Sequence, residues 1–183
     1  MQKFPNPAPL GLAGFALTTT LLSLINAGLL SGDGLGMVLA CAFAFGGTAQ
    51  ILAGLMEVPR GNTFGFTAFT SYGAFWWTFG LFVVFFHDKV PPAMVGWYLA
   101  CWGLFTFYMW LATFKSPRVL QLIFLALWIT FGLLACGDWF GAMALHNAGG
   151  YMGLVTAALA FYLSAADMIN ENYGRTVLPI GAK

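Results

Sequence analysis

Hydrophobic residues occur along this chain in six long runs, each interrupted by only a few polar positions. A helix needs about 20 mostly apolar residues to cross a bilayer, and every run reaches that length. The runs cover residues 9–30, 34–56, 64–86, 92–114, 118–137 and 147–169. The pattern therefore predicts an all-α polytopic membrane protein, in which residues 1–183 form a single domain of six transmembrane helices.

The short breaks between the runs carry nearly all of the charge and predict the orientation. Positive residues are retained on the cytoplasmic side of a membrane, and an even number of helices places both termini on one side. Only Lys89 falls on the side opposite the termini. The other six basic residues fall on the side of the termini: Lys3, Arg60, Lys115, Arg118, Arg175 and Lys183. Both termini are therefore predicted to be cytoplasmic.

The amino-acid composition is that of a membrane protein and argues against several classes of function. The chain is 60% hydrophobic, 17% aromatic and only 7% charged, whereas soluble domains are about a quarter charged. Its net charge is +1 and it has no basic cluster, so no nucleic-acid partner is predicted. Cys41, Cys101 and Cys136 lie in separate runs without CxxC spacing, and we interpret them as packing residues.

Polar side chains in the second and third runs need partners, because an unpaired polar group in hydrocarbon costs free energy. Gln50 lies on a glycine-rich face of the second run. Helical geometry gives the third run a hydroxyl face made of Thr63, Thr67, Thr70, Ser71 and Thr78. The opposite face contains Gly65, Ala68, Tyr72, Phe75 and Phe79. Hydroxyls can bond to carbonyls of their own helix, so the hydroxyl face is explained by helix contacts, whereas the lone Tyr72 hydroxyl is not.

Charged residues are missing from the centre of every run, which argues against a proton pump that relies on carboxylates inside the membrane. His87 and His146 lie in or beside loops, and the chain has neither HExxH nor GxSxG spacing. We therefore predict no catalytic residue, no metal site, no cofactor and no enzyme. What remains is a narrow, uncharged conduit that selects a small solute by width and a few hydrogen bonds.

Five stretches of the sequence resemble the succinate-acetate permease, or acetate uptake transporter, family. The first is the opening NPAPLGL at 6–12, followed by Phe15. The others are GGTAQ at 46–50, GNTFGFTAFTSYG at 61–73, RVLQ at 118–121 and NENYGRTVLP at 170–179. Together they span nearly the whole chain.

The resemblance implies six-helix protomers that form a homohexameric ring in a prokaryotic inner or plasma membrane, surrounded by lipid. Each protomer would have its own path for acetate and, more weakly, for small carboxylates such as succinate. The resemblance also implies a constriction built from an aromatic residue of the first helix, a tyrosine of the third and a leucine of the fifth. Matched by motif, these are Phe15, Tyr72 and Leu127.

A mechanism follows as a hypothesis. Backbone donors near Asn6, at the positive end of the first helix, would attract a carboxylate. Gln50 and the hydroxyls of Thr19, Thr70 and Ser71 are candidates to bind it. Since the path holds no fixed cation, a dehydrated anion is costly to pass, which favours proton accompaniment or passage as the neutral acid.

Two alternatives stay open at this stage. A urea or amide channel can have the same six-helix ring plan and an uncharged aromatic waist. A scaffold or sensor that transports nothing is the other alternative, although the short loops leave it little surface for a partner.

Overall fold

The computed structural model of the chain describes residues 4–181, so Lys3 and Lys183, two of the basic residues behind the predicted orientation, lie outside it. Within that range there is no β-strand, and six helical stretches are long and apolar enough to cross a membrane. They run over Ala8–Asn26, Gly32–Arg60, Thr63–Lys89, Pro92–Lys115, Arg118–Phe140 and Met143–Tyr173. The prediction of an all-α chain with six such helices is confirmed.

Seven α-helical elements make up these six stretches, because the second is divided in two. The helices are α1 (Ala8–Asn26), α2 (Leu35–Phe43), α3 (Gln50–Glu57), α4 (Thr63–Leu81), α5 (Pro92–Ala112), α6 (Arg118–Phe140) and α7 (Met143–Tyr173). A π-helical turn, Ala44–Ala49, joins α2 to α3 and keeps the second stretch continuous. Such turns inside helices are frequent at functional sites, and this one places Gln50 at the start of α3.

Two observed helices differ clearly from their predicted ranges. The first helix ends at Asn26 instead of residue 30, and the chain turns at Gly28, where φ is +74°. The last helix begins at Met143 and continues to Tyr173, well beyond the predicted 147–169. Hydropathy locates the bilayer-length part of a helix. It does not register that this helix continues through polar residues until Gly174 adopts a left-handed conformation.

The helices close a ring around a common centre. Helix α7 packs along both α1 and α6, α5 packs on α6, and α3 packs on α4 and α1. Aromatic side chains complete this ring of helices between α4 and α5. The aromatic ring centroids of Tyr72 and Phe75 lie 5.8 and 5.3 Å from that of Trp102. Large side chains hold the helices apart at this place, whereas small residues bring them together elsewhere.

Glycines provide the closest helix contacts, as expected where hydrophobic burial cannot drive association within lipid. A Cβ atom at Gly150 of α7 would overlap the backbone nitrogen of Ala27 at the end of α1. A Cβ atom at Gly73 of α4 would lie 2.8 Å from the carbonyl oxygen of Gly47. These two positions fix how closely α7 approaches α1 and α4 approaches the π-helical turn.

The chain after α7 folds back onto the bundle. It leaves the helix at Gly174, where φ is +61°, and Asn170 then binds it. The Asn170 Oδ1 atom accepts the backbone N–H groups of Val177 and Leu178 at 2.7 and 2.9 Å, and its Nδ2 atom donates to the Leu178 carbonyl at 2.8 Å. Three hydrogen bonds from one side chain therefore help to fix the direction of this segment, and the Tyr162 hydroxyl donates a further one to the Pro179 carbonyl at 2.7 Å.

The returning segment also caps α6. The carbonyls of Gly181 and Ile180 accept the backbone N–H groups of Arg118 and Val119 at 3.0 and 3.2 Å. Those N–H groups belong to the first turn of α6, where a helix has no internal acceptors. The C-terminal segment thus completes a membrane-spanning helix as well as lying across the end of the bundle.

We predict that Gly150→Ala lowers the thermal unfolding temperature of the purified protein by roughly 4 °C or more, because the added methyl overpacks the contact between α7 and α1. Differential scanning fluorimetry in detergent measures this. Gly36→Ala is the matched control, since a Cβ atom at Gly36 of α2 meets nothing within 4 Å. Equal unfolding temperatures for the two variants would contradict this account of the packing.

We predict that Asn170→Ala makes trypsin cleave after Arg175 several-fold faster, because the loss of three hydrogen bonds raises local opening of the segment. The time course is followed by mass spectrometry of the detergent-solubilised protein. Asn172→Ala serves as the control because Asn172 lies exposed on the same last turn of α7. Cleavage at the same rate in both variants would show that Asn170 does not hold the segment.

Candidate functional site

A cavity of about 190 Å³ lies inside the ring, at the end of the bundle that carries both termini. A cavity of about 150 Å³ can hold a benzene molecule, so this one has room for a small organic solute. Its polar lining residues are Gln50, Glu57, Asn62 and Asp167. Most of the remaining wall is apolar, including Leu12, Phe15, Phe64, Ala68, Phe69, Tyr72, Leu120, Ile123, Phe124, Leu127, Leu163 and Ile180.

Phe15, Tyr72 and Leu127 form the inner end of this cavity. In α1, α4 and α6, each is the lining residue farthest from the end that carries the termini. They are 6%, 3% and 4% exposed and belong to one buried cluster. The ring centroids of Phe15 and Tyr72 lie 5.9 Å apart. The three residues named from the sequence are therefore brought together at one level of the bundle.

Tyr72 is held in place by α5. Its hydroxyl lies 2.8 Å from Thr106 Oγ1, and Thr106 donates its own proton to the carbonyl of Trp102 at 2.7 Å. Since a threonine hydroxyl has one proton, Tyr72 is the donor to Thr106. The Tyr72 hydroxyl is thus occupied, and it is the ring that contributes to the cavity wall. Sequence reasoning missed Thr106, whose spacing gives no sign that it faces the third membrane-spanning helix.

Gln50 supplies an amide to the apolar part of the cavity. Its side chain is 1% exposed and lines the cavity. Within residues 4–181, its amide oxygen has no hydrogen-bond donor. A buried polar group without a partner is uncommon and calls for an explanation, and a ligand in the cavity is the simplest one here.

The mouth of the cavity contains two carboxylates that the sequence analysis did not consider as site residues. Glu57 is 1% exposed, and its Oε2 atom lies 3.2 Å from Arg60 Nε. The same guanidinium donates through Nη1 to the carbonyls of Phe4 and Pro5 at 2.9 and 3.2 Å. Asp167 lines the cavity without an ion pair in the described part of the chain. Both carboxylates stand near helix ends, so hydropathy gives no sign that they face inwards.

The other predicted binding residues lie outside this cavity. Asn6 Oδ1 accepts the backbone N–H of Ala8 at 3.2 Å and so caps α1. Thr19 is buried one helical turn beyond Phe15, and its hydroxyl has no partner among the residues described. Thr70 donates to the carbonyl of Phe66 and packs against Gly54. Ser71 is half-buried beside it. Their roles in binding stay predictions.

A second cavity, of about 420 Å³, opens at the opposite end of the bundle. Asn26 and Asn147 line it, together with His146, whose Nδ1 atom lies 3.6 Å from Asp138 Oδ1. In the described residues, no group of three or more His, Cys, Asp or Glu side chains is arranged to hold a metal ion. The bundle thus has a recess at each end, and the buried cluster around Phe15, Tyr72 and Leu127 lies between them.

Comparisons with known proteins give the same fold and the same family. The succinate-acetate/proton symporter SatP of Escherichia coli K12 is 47% identical over 183 residues, covering 98% of this chain and 96% of that protein. The solved structure of the bacterial acetate channel SatP matches with a TM-score of 0.94 at 47% identity, covering 98% of this chain and 100% of that one.

A more distant relative is named for a different solute. Ammonia transport outward protein 2 of Saccharomyces cerevisiae is 40% identical over 177 residues, covering 92% of this chain and 63% of that protein. These relatives are transporters or channels and not enzymes. The GPR1/FUN34/yaaH family model matches residues 1–180. The resemblance seen in the motifs is confirmed, and the chain belongs to the GPR1/FUN34/yaaH family.

Proposed function

We propose that this protein carries acetate and other small carboxylates such as succinate across a membrane, as a channel or a transporter. The observation that supports this most directly is the cavity at the end of the bundle that carries the termini, which ends inside the bundle at Phe15, Tyr72 and Leu127. It lies in a fold that matches SatP closely. Its volume suits a solute of a few carbon atoms. Its wall offers hydrogen-bonding groups at only a few points, as expected of a path that selects by width.

Phe15, Tyr72 and Leu127 are proposed to form the constriction of the path. An apolar ring of this kind slows water and polar solutes, because it offers nothing to replace their hydration. The hydrogen bond from Tyr72 to Thr106 keeps the tyrosine ring in one position. Gln50 contacts the solute on the near side of the constriction, and Thr19 contacts it on the far side. Asn6 shapes the mouth, and Thr70 and Ser71 serve helix packing.

The assembly is proposed to be a homohexameric ring of single-domain protomers covering residues 1–183, in a prokaryotic inner membrane. Both termini are cytoplasmic in this proposal. Basic residues lie at the end of the bundle that carries the termini, and positive residues favour the cytoplasmic side. Arg60 donates to the Phe4 carbonyl there, and the backbone N–H of Arg118 donates to the Gly181 carbonyl. Lys115 also lies at this end, just before α6, and Arg175 just after α7. The cavity between the termini therefore opens to the cytoplasm, and lipid surrounds the exposed apolar side chains.

We expect native mass spectrometry in detergent to give a complex of six 19.7 kDa chains. We also expect trypsin to cleave after Arg175 in inside-out membrane vesicles and not in right-side-out vesicles. A smaller complex would contradict the hexamer, and cleavage in right-side-out vesicles would contradict the orientation.

The transport proposal is tested by the uptake of labelled acetate into proteoliposomes, with protein-free liposomes as the baseline. We expect acetate uptake well above the baseline, with urea and methylammonium close to it. Tyr72→Ala and Leu127→Ala should admit larger acids such as benzoate, because each removes side-chain volume from the constriction. Tyr72→Phe is the matched control for side-chain volume, since it keeps the ring and removes only the hydrogen bond to Thr106.

An absence of acetate uptake by the unmodified protein would overturn the proposed function. Uptake of urea or methylammonium in preference to acetate would assign the cavity to another solute. Alanine variants with an unchanged rate and size range would show that the constriction lies elsewhere.

A further inference from the structure

We propose that α1 and α7 form an outer gate, which closes the path in this structure and opens when the two helices separate beyond the constriction. The outer gate is defined by Ser23 of α1 and Gly153 of α7, which meet between the constriction and the recess lined by Asn26 and Asn147. This inference rests on the proposed transport of small carboxylates. It adds a second barrier to the constriction and names the part of the fold that moves.

Three helices meet at the outer gate. A Cβ atom at Gly153 would overlap the Oγ atom of Ser23, and it would lie 3.2 Å from the Ser23 Cβ atom and 3.6 Å from Thr130 Cγ2. Ser23 lies about two turns of α1 beyond Phe15, and Thr130 lies almost one turn of α6 beyond Leu127. Both side chains are buried. A solute that has passed the constriction therefore meets packed side chains here.

Aromatic side chains close the rest of this layer. Phe75 lies almost one turn of α4 beyond Tyr72, and its ring centroid lies 5.5 Å from that of Phe131 in α6. The same centroid lies 5.3 Å from that of Trp102 in α5. Aromatic rings are in contact at such distances, and Phe75 and Phe131 are buried. Helices α4, α5 and α6 are thus joined at this level, and the contact of α1 with α7 completes the barrier.

The contact of α1 with α7 is the part of this layer that separates at the lowest cost. Gly153 contributes no side chain to it, whereas parting Phe75 from Phe131 would expose two large aromatic rings. Thr130 and Thr156 donate to carbonyls of their own helices at 2.8 and 2.9 Å. Both hydroxyls therefore keep their hydrogen bonds when α1 moves away from α7.

An unpaired hydroxyl on α1 also favours opening. Thr19 lies one turn before Ser23 on the same face of the helix and is buried. Its Oγ1 atom has no hydrogen-bond partner within residues 4–181, and a buried hydroxyl without a partner is destabilising. When α1 moves away, water or the solute reaches this oxygen. The hydrogen bond gained there offsets part of the packing that opening removes.

A hydrogen bond at the other ends of the two helices provides a pivot. Ser164 Oγ of α7 donates to the Pro9 carbonyl of α1 at 2.7 Å. Beyond the constriction, no hydrogen bond joins α1 to α7 in the part of the chain that the structure describes. A tilt of α1 about the Ser164 contact therefore opens the outer gate and leaves the ends that carry the termini in contact.

The first test locks the outer gate with a disulfide. Ser23→Cys and Gly153→Cys are combined in a chain whose Cys41, Cys101 and Cys136 are replaced by alanine. The Cβ separation of 3.2 Å is close to that of natural disulfides. In proteoliposomes, oxidation should lower the uptake of labelled acetate about tenfold or more, because it removes the open state from the population, and dithiothreitol should restore it. Equal uptake by the oxidised and reduced forms, with the disulfide verified by mass spectrometry, would overturn the outer gate.

The second test leaves Gly153 unchanged. In the same cysteine-free chain, Ser23→Cys places a thiol at the outer gate, and Thr18→Cys is the matched control. Thr18 is fully buried on α1 but faces Gly46 of the π-helical turn. During acetate uptake, methyl methanethiosulfonate should modify the Ser23→Cys chain about tenfold faster or more than the Thr18→Cys chain, because local opening exposes only the first thiol. Equal rates, followed by mass spectrometry, would contradict the proposal.

The two tests together separate the outer gate from the folding of a variant and from the proposed function. If the added side chain at Gly153 prevents folding, modification of the Ser23→Cys chain gives the answer. Failure of the proposed function is a different result, because the unmodified protein would then take up no acetate above protein-free liposomes.

Discussion

Polar groups inside the hydrocarbon must find partners within the protein, and this constraint governs the bundle. Thr18 and Thr78 satisfy it by donating to carbonyls four residues earlier in their own helices. Tyr72 satisfies it by donating to Thr106 of another helix. Gln50 and Thr19 are buried and leave an oxygen atom unpaired in the described residues. They lie on either side of the level of Phe15, where the proposed path needs groups that are free to bind a solute.

The cavity follows from where small and large residues lie along the same helices. Glycines let α1 and α7 approach until Gly150 meets the backbone of Ala27. Around Tyr72, aromatic rings separate α4 from α5 and α6, with centroids 5.4 to 6.1 Å apart. Helices held close on one side and apart on the other leave a space between them. The cavity is therefore built into the packing of the helices.

Much of this arrangement could be predicted from the sequence, because membrane-spanning helices are recognised from the hydrophobicity and helical periodicity of short stretches. Helix periodicity alone separates the hydroxyl face of α4 from the face of Tyr72, and the latter is the one that lines the cavity. Contacts between distant parts of the chain could not be predicted. The burial of Glu57 requires Gly65 opposite, where a Cβ atom would lie 2.9 Å from the carboxyl carbon. Likewise, the capping of α6 by Gly181 depends on how the chain returns after Asn170, which no spacing reveals.

The engagement of Arg60 within the protein links this architecture to transport energetics. Moving an unpaired charge into an apolar constriction costs far more free energy than moving a neutral acid, so the cargo must lose its charge or meet a counter-charge. Arg60 is the natural counter-charge at this end, yet its contacts with Glu57 and the Phe4 carbonyl make it part of the scaffold. Loss of charge is then the less costly route. A proton that travels on the cargo itself needs no carboxylate relay through the membrane, and this explains why a chain proposed to move acids has no charged residue near the middle of its helices.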